Sequence, residues 1–171
     1  MNLANKLTLT RIALIPMLLV VLYWGFPLSN WVAVAIFIAA SLTDLVDGRI
    51  ARSRNLVTAF GKFMDPLADK MLVAAVMCWL VDAGRMAGWV LVVVLMREFA
   101  VSGLRLVAVE RGRVIAAAWS GKVKTVVTMV CLGFMIAFHI FWMNIAGQAL
   151  ILVTTLYSGV EYFVKNIDVM K

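Results

Sequence analysis

The sequence predicts an all-α, polytopic integral membrane protein: six transmembrane helices preceded by a short N-terminal interfacial helix. Three observations carry that prediction. Hydrophobic residues make up 64% of the 171 residues and charged residues only 15%, where a soluble domain has about half and about a quarter. The apolar residues fall into runs that approach the ~20 residues needed to cross a hydrocarbon core. The basic residues gather at alternate ends of those runs: the N-terminal arm, the second-to-third link, the fourth-to-fifth link and the tail. Arg85 is the one exception on the opposite loops. By the positive-inside rule both termini and the basic links face the cytoplasm. Residues 1–171 form one membrane domain, with no stretch left over for a separate soluble one. A net charge of +7 would suit nucleic acid, but basic residues flanking apolar runs are topology signals and contacts for anionic headgroups. Membrane lipids are therefore expected partners and nucleic acid is not.

Asn2 to Arg11 (NLANKLTLTR) alternates polar and apolar residues around two positive charges, which suits an amphipathic helix lying in the interface. No small-residue cleavage site follows, so the next run is an uncleaved span rather than a signal peptide. It covers the Thr8–Arg11 turn and Ile12 to Trp24, with Pro16 as a point of kinking. GFPLSN, residues 25–30, is a turn without Lys or Arg. The second span starts at Trp31 and, after about 20 residues, reaches the far interface near Ile50. Asp44 and Asp47 then lie inside the bundle.

SRNLVT, residues 53–58, is a polar link. The third span begins within residues 59–62 and runs past Asp65 and Asp69 through MLVAAVMCWLV to a turn at DAGR, residues 82–85. Trp89 to Val109 is the fourth, interrupted by Arg97, Glu98 and Arg105; ERGRVIAAAWSGKVK, residues 110–124, is a long basic segment. Val126 to Trp142 is the fifth, Asn144 marks a turn, and Ala146 to Val164 is the sixth. Cys78 and Cys131 sit in apolar runs without CxxC spacing and read as buried thiols. His139 is lone, and Trp24, Trp31, Trp89 and Trp142 form an aromatic belt at the outer interface.

The chemistry concentrates between residues 44 and 69. Asp44 and Asp47 are three apart and Asp65 and Asp69 four apart, so each pair shares a helix face. A carboxylate in hydrocarbon costs at least a few kcal/mol, and a divalent cation held by hard oxygen ligands is its natural partner. Two facing helices with four carboxylates make a cage for one metal ion or two. Gly48 and Ala51 leave a small-residue surface beside the acids, Gly61 lies one turn before Asp65, and Arg52 can reach a phosphate in bidentate fashion. Pro66 should kink the third span or free a backbone carbonyl. A salt-bridge network against Arg49, Arg52, Arg54, Lys62 and Lys70 is the other use such acids have. It gives the glycines no role.

The pattern Asp44-x2-Asp47-Gly48-x2-Ala51-Arg52-x8-Gly61-x3-Asp65-x3-Asp69 resembles the signature of the CDP-alcohol phosphotransferase family, with all eight fixed positions present. The resemblance implies displacement of CMP from a CDP-linked substrate by an alcohol hydroxyl. It implies Mg²⁺ or Mn²⁺, two ions, held by Asp44, Asp47, Asp65 and Asp69, with Asp69 also the general base. Asp44, Asp47, Gly48, Ala51, Arg52 and Gly61 would contact the cytidine diphosphate. Asn5, Thr8 and Arg11 resemble the family's N-terminal element.

For the acceptor, Arg and Lys on the cytoplasmic side suit a doubly charged phosphate and not choline, ethanolamine or serine. Arg111 and Arg113 read as topology signals, and Arg97 with Glu98 as an internal ion pair. The segments NLANKLTLTRIALIP, GKFMDPLADK, MREFAVSGLRLVAVERG and SGKVKT are similar to the bacterial branch that makes phosphatidylglycerophosphate. That resemblance implies CDP-diacylglycerol as donor, sn-glycerol 3-phosphate as acceptor, and Arg105, Lys122 and Lys124 as its phosphate contacts. It also implies a homodimer in a bacterial inner membrane, with the active site cytoplasmic. The alternatives are a cardiolipin or phosphatidylinositol-phosphate synthase of the same family, or a cation transporter, which leaves Gly48, Arg52 and Gly61 unused.

Overall fold

The structure, a computed structural model, describes residues 3–53, 59–113, 115–116 and 118–169, with side chains for 9–43, 64, 67–113, 115–116 and 118–168. Six helices follow in order: α1 Leu3–Trp24, α2 Ser29–Ser53, α3 Ala59–Asp82, α4 Gly88–Glu110, α5 Trp119–Ala137 and α6 Phe141–Lys165. A short 3₁₀ turn, Ile167–Val169, closes the chain, and the described residues hold no strand. They group into two compact units, Met1–Ala83 with Ile136–His139, and Gly84–Met135 with Ile140–Lys171.

In the first unit α1 packs against α2 and α3, and α2 against α3. The contacts follow helical periodicity. Arg11, Ile15, Leu18 and Leu22 are buried on α1, Ala33, Phe37 and Ala40 on α2, and Ala68, Leu72, Val76 and Leu80 on α3. Residues three and four apart form one stripe, and the alanines suit close helix approach. The Tyr23 hydroxyl donates to Asp82 Oδ2, tying the end of α1 to the end of α3. Trp31 meets Phe138 edge to face at 5.6 Å, and the Asn30 amide lies 3.3 Å from His139 Nε2.

In the second unit α4 packs against α6 around Val101, Leu104, Ala108 and Tyr162, with Ile115, Ala118 and Phe163 at its margin. α4 stops where Gly112 turns to φ +70°; the amide of Arg113 then donates to Ala108 O at 2.8 Å, satisfying a carbonyl that the helix leaves open.

Arg85 explains its own exception to the charge pattern. Its Nη2 donates to Met135 O and to Asn144 Oδ1, the latter at 3.5 Å. Gln148 completes the clasp: Nε2 donates to Arg85 O and to Asn144 O, both at 3.1 Å, and Oε1 accepts from Ala87 N at 2.8 Å. Burial pulls the guanidinium below its ordinary value, though arginine starts high enough to stay charged. Arg85→Met should leave Met135 O and Asn144 without their donor and cost about 1–3 kcal/mol. A lowered thermal midpoint in detergent, with helix content retained below it, is the expected reading.

Among the described residues α5 and α6 are long and apolar enough to cross a membrane, and only 33% and 28% of their apolar windows are buried. Most of each window is therefore left uncovered. Leu9–Trp24 and Ser29–Thr43 are shorter apolar stretches. Met17, Val20, Met96, Phe99, Leu106, Val153, Val160 and Val164 are exposed, while Arg11, Lys124, Thr128, Thr155 and Ser158 are buried. Large apolar side chains left exposed beside a few buried polar ones suit hydrocarbon as the surrounding solvent.

Several expectations need correcting. The N-terminal arm is no separate interfacial helix: α1 is continuous from Leu3 to Trp24. No Gly interrupts the run, and the helix accommodates Pro16 at the loss of one internal hydrogen bond. Asn144 is no turn. The break falls at Phe138–Ile140, and Asn144 is buried in α6 because Arg85 needs its oxygen. α5 begins at Trp119, so Lys122 and Lys124 are helical rather than part of the connecting segment. Cys78 is exposed and Cys131 half-buried, both free thiols.

Candidate active site

The backbone places Asp44, Asp47, Gly48, Ala51 and Arg52 on α2, and Gly61, Asp65 and Asp69 on α3. The three- and four-residue spacings are therefore helical, and the helices that carry them are packed neighbours. Residues 54–58 join the end of α2 to the start of α3, so connectivity brings both acidic segments to the same end of the helix pair. α3 continues through Pro66.

The side chains of Asp44, Asp47, Gly48, Ala51, Arg52, Gly61 and Asp65 lie outside the described residues, and the metal cage and nucleotide contacts fall largely on them. Asp69 is described: it is half-buried beside the fully buried Ala68, and its Oδ1 is shielded from solvent. Arg11, 1% exposed on the stripe by which α1 joins the unit, is a cation buried in the same unit. Among the described residues no group of three or more His, Cys, Asp or Glu stands together.

Arg105, Lys122 and Lys124 belong to the second unit, and the structure treats them differently. Lys124 is 5% exposed and its ammonium sits 2.6 Å from Glu98 Oε1. Lys122, two residues earlier and about 200° round the helix, is exposed. The two lysines do not share a face. Arg105 donates through Nε to the Tyr162 hydroxyl at 2.8 Å, with its guanidinium carbon 5.3 Å from that ring's centre. The Arg97–Glu98 pair forms as expected, Nη1 to Oε1 at 3.0 Å, on the oxygen that Lys124 also uses. Arg111 and Arg113 are exposed.

Sequence reading missed Tyr162 as the partner of Arg105, and the buried hydroxyls of Thr128 and Thr155, whose oxygens have no hydrogen-bond partner among the described residues. One signal was available. Gly147, Ile151, Thr155, Ser158, Gly159 and Tyr162 recur at helical spacing on the buried face of α6, a small-and-polar stripe in an otherwise apolar span.

The family model described as CDP-alcohol phosphatidyltransferase matches residues 1–158, through both units. A Bacillus subtilis CDP-diacylglycerol–glycerol-3-phosphate 3-phosphatidyltransferase is 42% identical over 99% of this chain and 97% of its own length. A Salmonella typhimurium protein of the same description is 40% identical over 94% of this chain and 92% of its own. A probable phosphatidylglycerophosphate synthase of Mycobacterium tuberculosis is 39% identical over 94% of this chain and 79% of its own.

Proposed function

The chain belongs to the CDP-alcohol phosphatidyltransferase family, and on that footing we propose that it transfers the phosphatidyl group of CDP-diacylglycerol to sn-glycerol 3-phosphate, giving phosphatidylglycerophosphate and CMP. One observation carries the reading: the eight-position pattern from Asp44 to Asp69 lies on two packed helices, in a chain similar over nearly its whole length to relatives named for this reaction.

An acceptor hydroxyl oxygen forms a bond to the lipid-side phosphorus while the bond from that phosphorus to the bridging oxygen breaks, and CMP leaves. Asp69 receives the hydroxyl proton. Gly48, Ala51 and Gly61 let the nucleotide lie close to the helix backbones, and Arg52, with Asp44 and Asp47, orients its diphosphate. Lys124, with Arg105, binds the acceptor's phosphate, and Lys122, on another face of α5, lies outside that contact. Four aspartates are a hard-oxygen donor set, and that chemistry fits Mg²⁺ or Mn²⁺ rather than a thiolate- or imidazole-preferring ion. When bound at Asp44, Asp47, Asp65 and Asp69, two such ions supply neutralisation of the diphosphate and acidify the attacking hydroxyl.

The same reading makes the chain a multi-pass enzyme of six spans in a bacterial inner membrane, both units acting as one domain. Exposed apolar faces, the two long apolar helices and the alternation of basic loops support it. Both termini and the aspartates then face the cytoplasm, and the working form is a homodimer.

Purified protein given CDP-diacylglycerol, sn-glycerol 3-phosphate and Mg²⁺ should release CMP in proportion to glycerol phosphate entering the lipid phase. The absence of CMP release, with divalent-cation flux in sealed vesicles, would instead make the aspartates a transport site.

A further inference from the structure

Arg97, Glu98 and Lys124 form a three-charge group in the second unit, Lys124 buried and the other two half-buried. Glu98 Oε1 accepts from Arg97 Nη1 at 3.0 Å and from Lys124 Nζ at 2.6 Å, and the three side chains are 13%, 17% and 6% exposed. Adjacent residues on a helix do not face one another, so Arg97 has to curl back to reach its neighbour. Two glycines define the path it takes. A Cβ on Gly159 of α6 would lie 3.2 Å from Arg97 Cγ, and a Cβ on Gly121 of α5 would lie 3.6 Å from Arg97 Nη2. Arg97 is thus seated on bare backbone from two helices, with a carboxylate holding its tip.

Among the described residues the group sets two cations on one carboxylate oxygen, and Glu161, the carboxylate on the neighbouring α6, is engaged by Lys165. Two part-shielded cations on one carboxylate have charge to offer an anion from outside the group. Its geometry, a guanidinium and an ammonium held together by their common oxygen, matches a phosphate monoester.

We propose that Glu98 is a positioning residue for acceptor binding, a shared counter-ion that holds Arg97 and Lys124 in one arrangement for the acceptor's phosphate. This rests on the reading above that Lys124 binds that phosphate. Glu98 touches no reacting atom, so its removal should weaken acceptor binding and spare the chemical step.

The experiment is saturation kinetics on Glu98→Gln, varying each substrate in turn. The KM for sn-glycerol 3-phosphate should rise by about tenfold or more, the size expected for losing one charge-assisted contact. The KM for CDP-diacylglycerol and kcat should stay close to wild type, and inorganic phosphate should lose potency as a competitor of the acceptor. Glu98→Asp, which keeps the charge, should recover part of the loss. Gly159→Ala supplies a second route, because it displaces Arg97 without deleting a charge, and it too should raise the acceptor KM selectively. It decides the matter if Glu98→Gln does not fold. An unchanged acceptor KM, an equal rise for both substrates, or a fall in kcat alone would overturn the proposal. The wild-type control separates the two readings: no CMP release with sn-glycerol 3-phosphate defeats the acceptor assignment itself, whereas normal wild-type saturation with an unshifted variant defeats only the positioning role.

Discussion

Asp47→Asn and Asp65→Asn should each reduce CMP release to background, a loss of at least about a thousandfold for a transition state that depends on preorganised charge. Both positions lie within continuous helix, on α2 and α3, and the substitution keeps side-chain volume while removing one negative charge. Neutralising a carboxylate inside a membrane domain is favourable in itself, so the thermal midpoint measured without divalent ions should hold or rise. That sign separates a metal cage from a salt-bridge network. If these aspartates only neutralised neighbouring Arg and Lys, each substitution would strand a buried cation, at a cost of about 3–5 kcal/mol. Activity assays paired with thermal unfolding in detergent read both quantities on one preparation. Retained turnover in either variant would mean the cage is wrong.

Chelation should have an effect of the same size and be reversible. EDTA should stop CMP release, and added Mg²⁺ or Mn²⁺ should restore it. Binding should also stabilise the folded protein, by about 2.7 kcal/mol when the free ion is a hundredfold above its dissociation constant. The thermal midpoint should therefore climb with Mg²⁺ or Mn²⁺ in the wild type and stop climbing in Asp65→Asn. A divalent-dependent midpoint that survives in Asp65→Asn would place the ion elsewhere. Activity unaffected by EDTA would remove the metals from the reaction.

Much of the helical plan was legible because its signals are local. Apolar runs, the GFPLSN and DAGR turns and the polar link at 53–58 mark helix ends by composition alone, and α2, α3 and α4 fall close to where those signals place them. The α5–α6 boundary was not legible. The break at Phe138–Ile140 has no Gly or Pro and is largely apolar, while the polar Asn144 nearby looks like a turn and is buried in α6. Only a contact across many residues, Asn144 to Arg85, explains why a polar side chain sits there. Arg85, the one exception to the charge pattern, has the same kind of explanation: it is a half-buried tie to Met135 O and Asn144.

The site divides along the same line. Helical spacing and repeated small residues made the eight-position pattern readable, since α2 and α3 each carry their part as a local sequence. The second unit's charges depend on which helices meet. Nothing near residue 97 in sequence announces that Gly121 and Gly159 will leave room for its side chain, or that Lys124 will join it on Glu98. Lys122 and Lys124 look equivalent in SGKVKT, yet one is exposed and the other buried, because two helical residues point about 200° apart.

The most direct test is an acceptor panel. Purified protein with CDP-diacylglycerol and Mg²⁺ is offered sn-glycerol 3-phosphate, phosphatidylglycerol, inositol phosphate or no acceptor, and CMP and the lipid product are quantified together. CMP release and a lipid of the mass of phosphatidylglycerophosphate, both confined to the sn-glycerol 3-phosphate reaction, are the predicted result. CMP release with another acceptor and none with sn-glycerol 3-phosphate would contradict it.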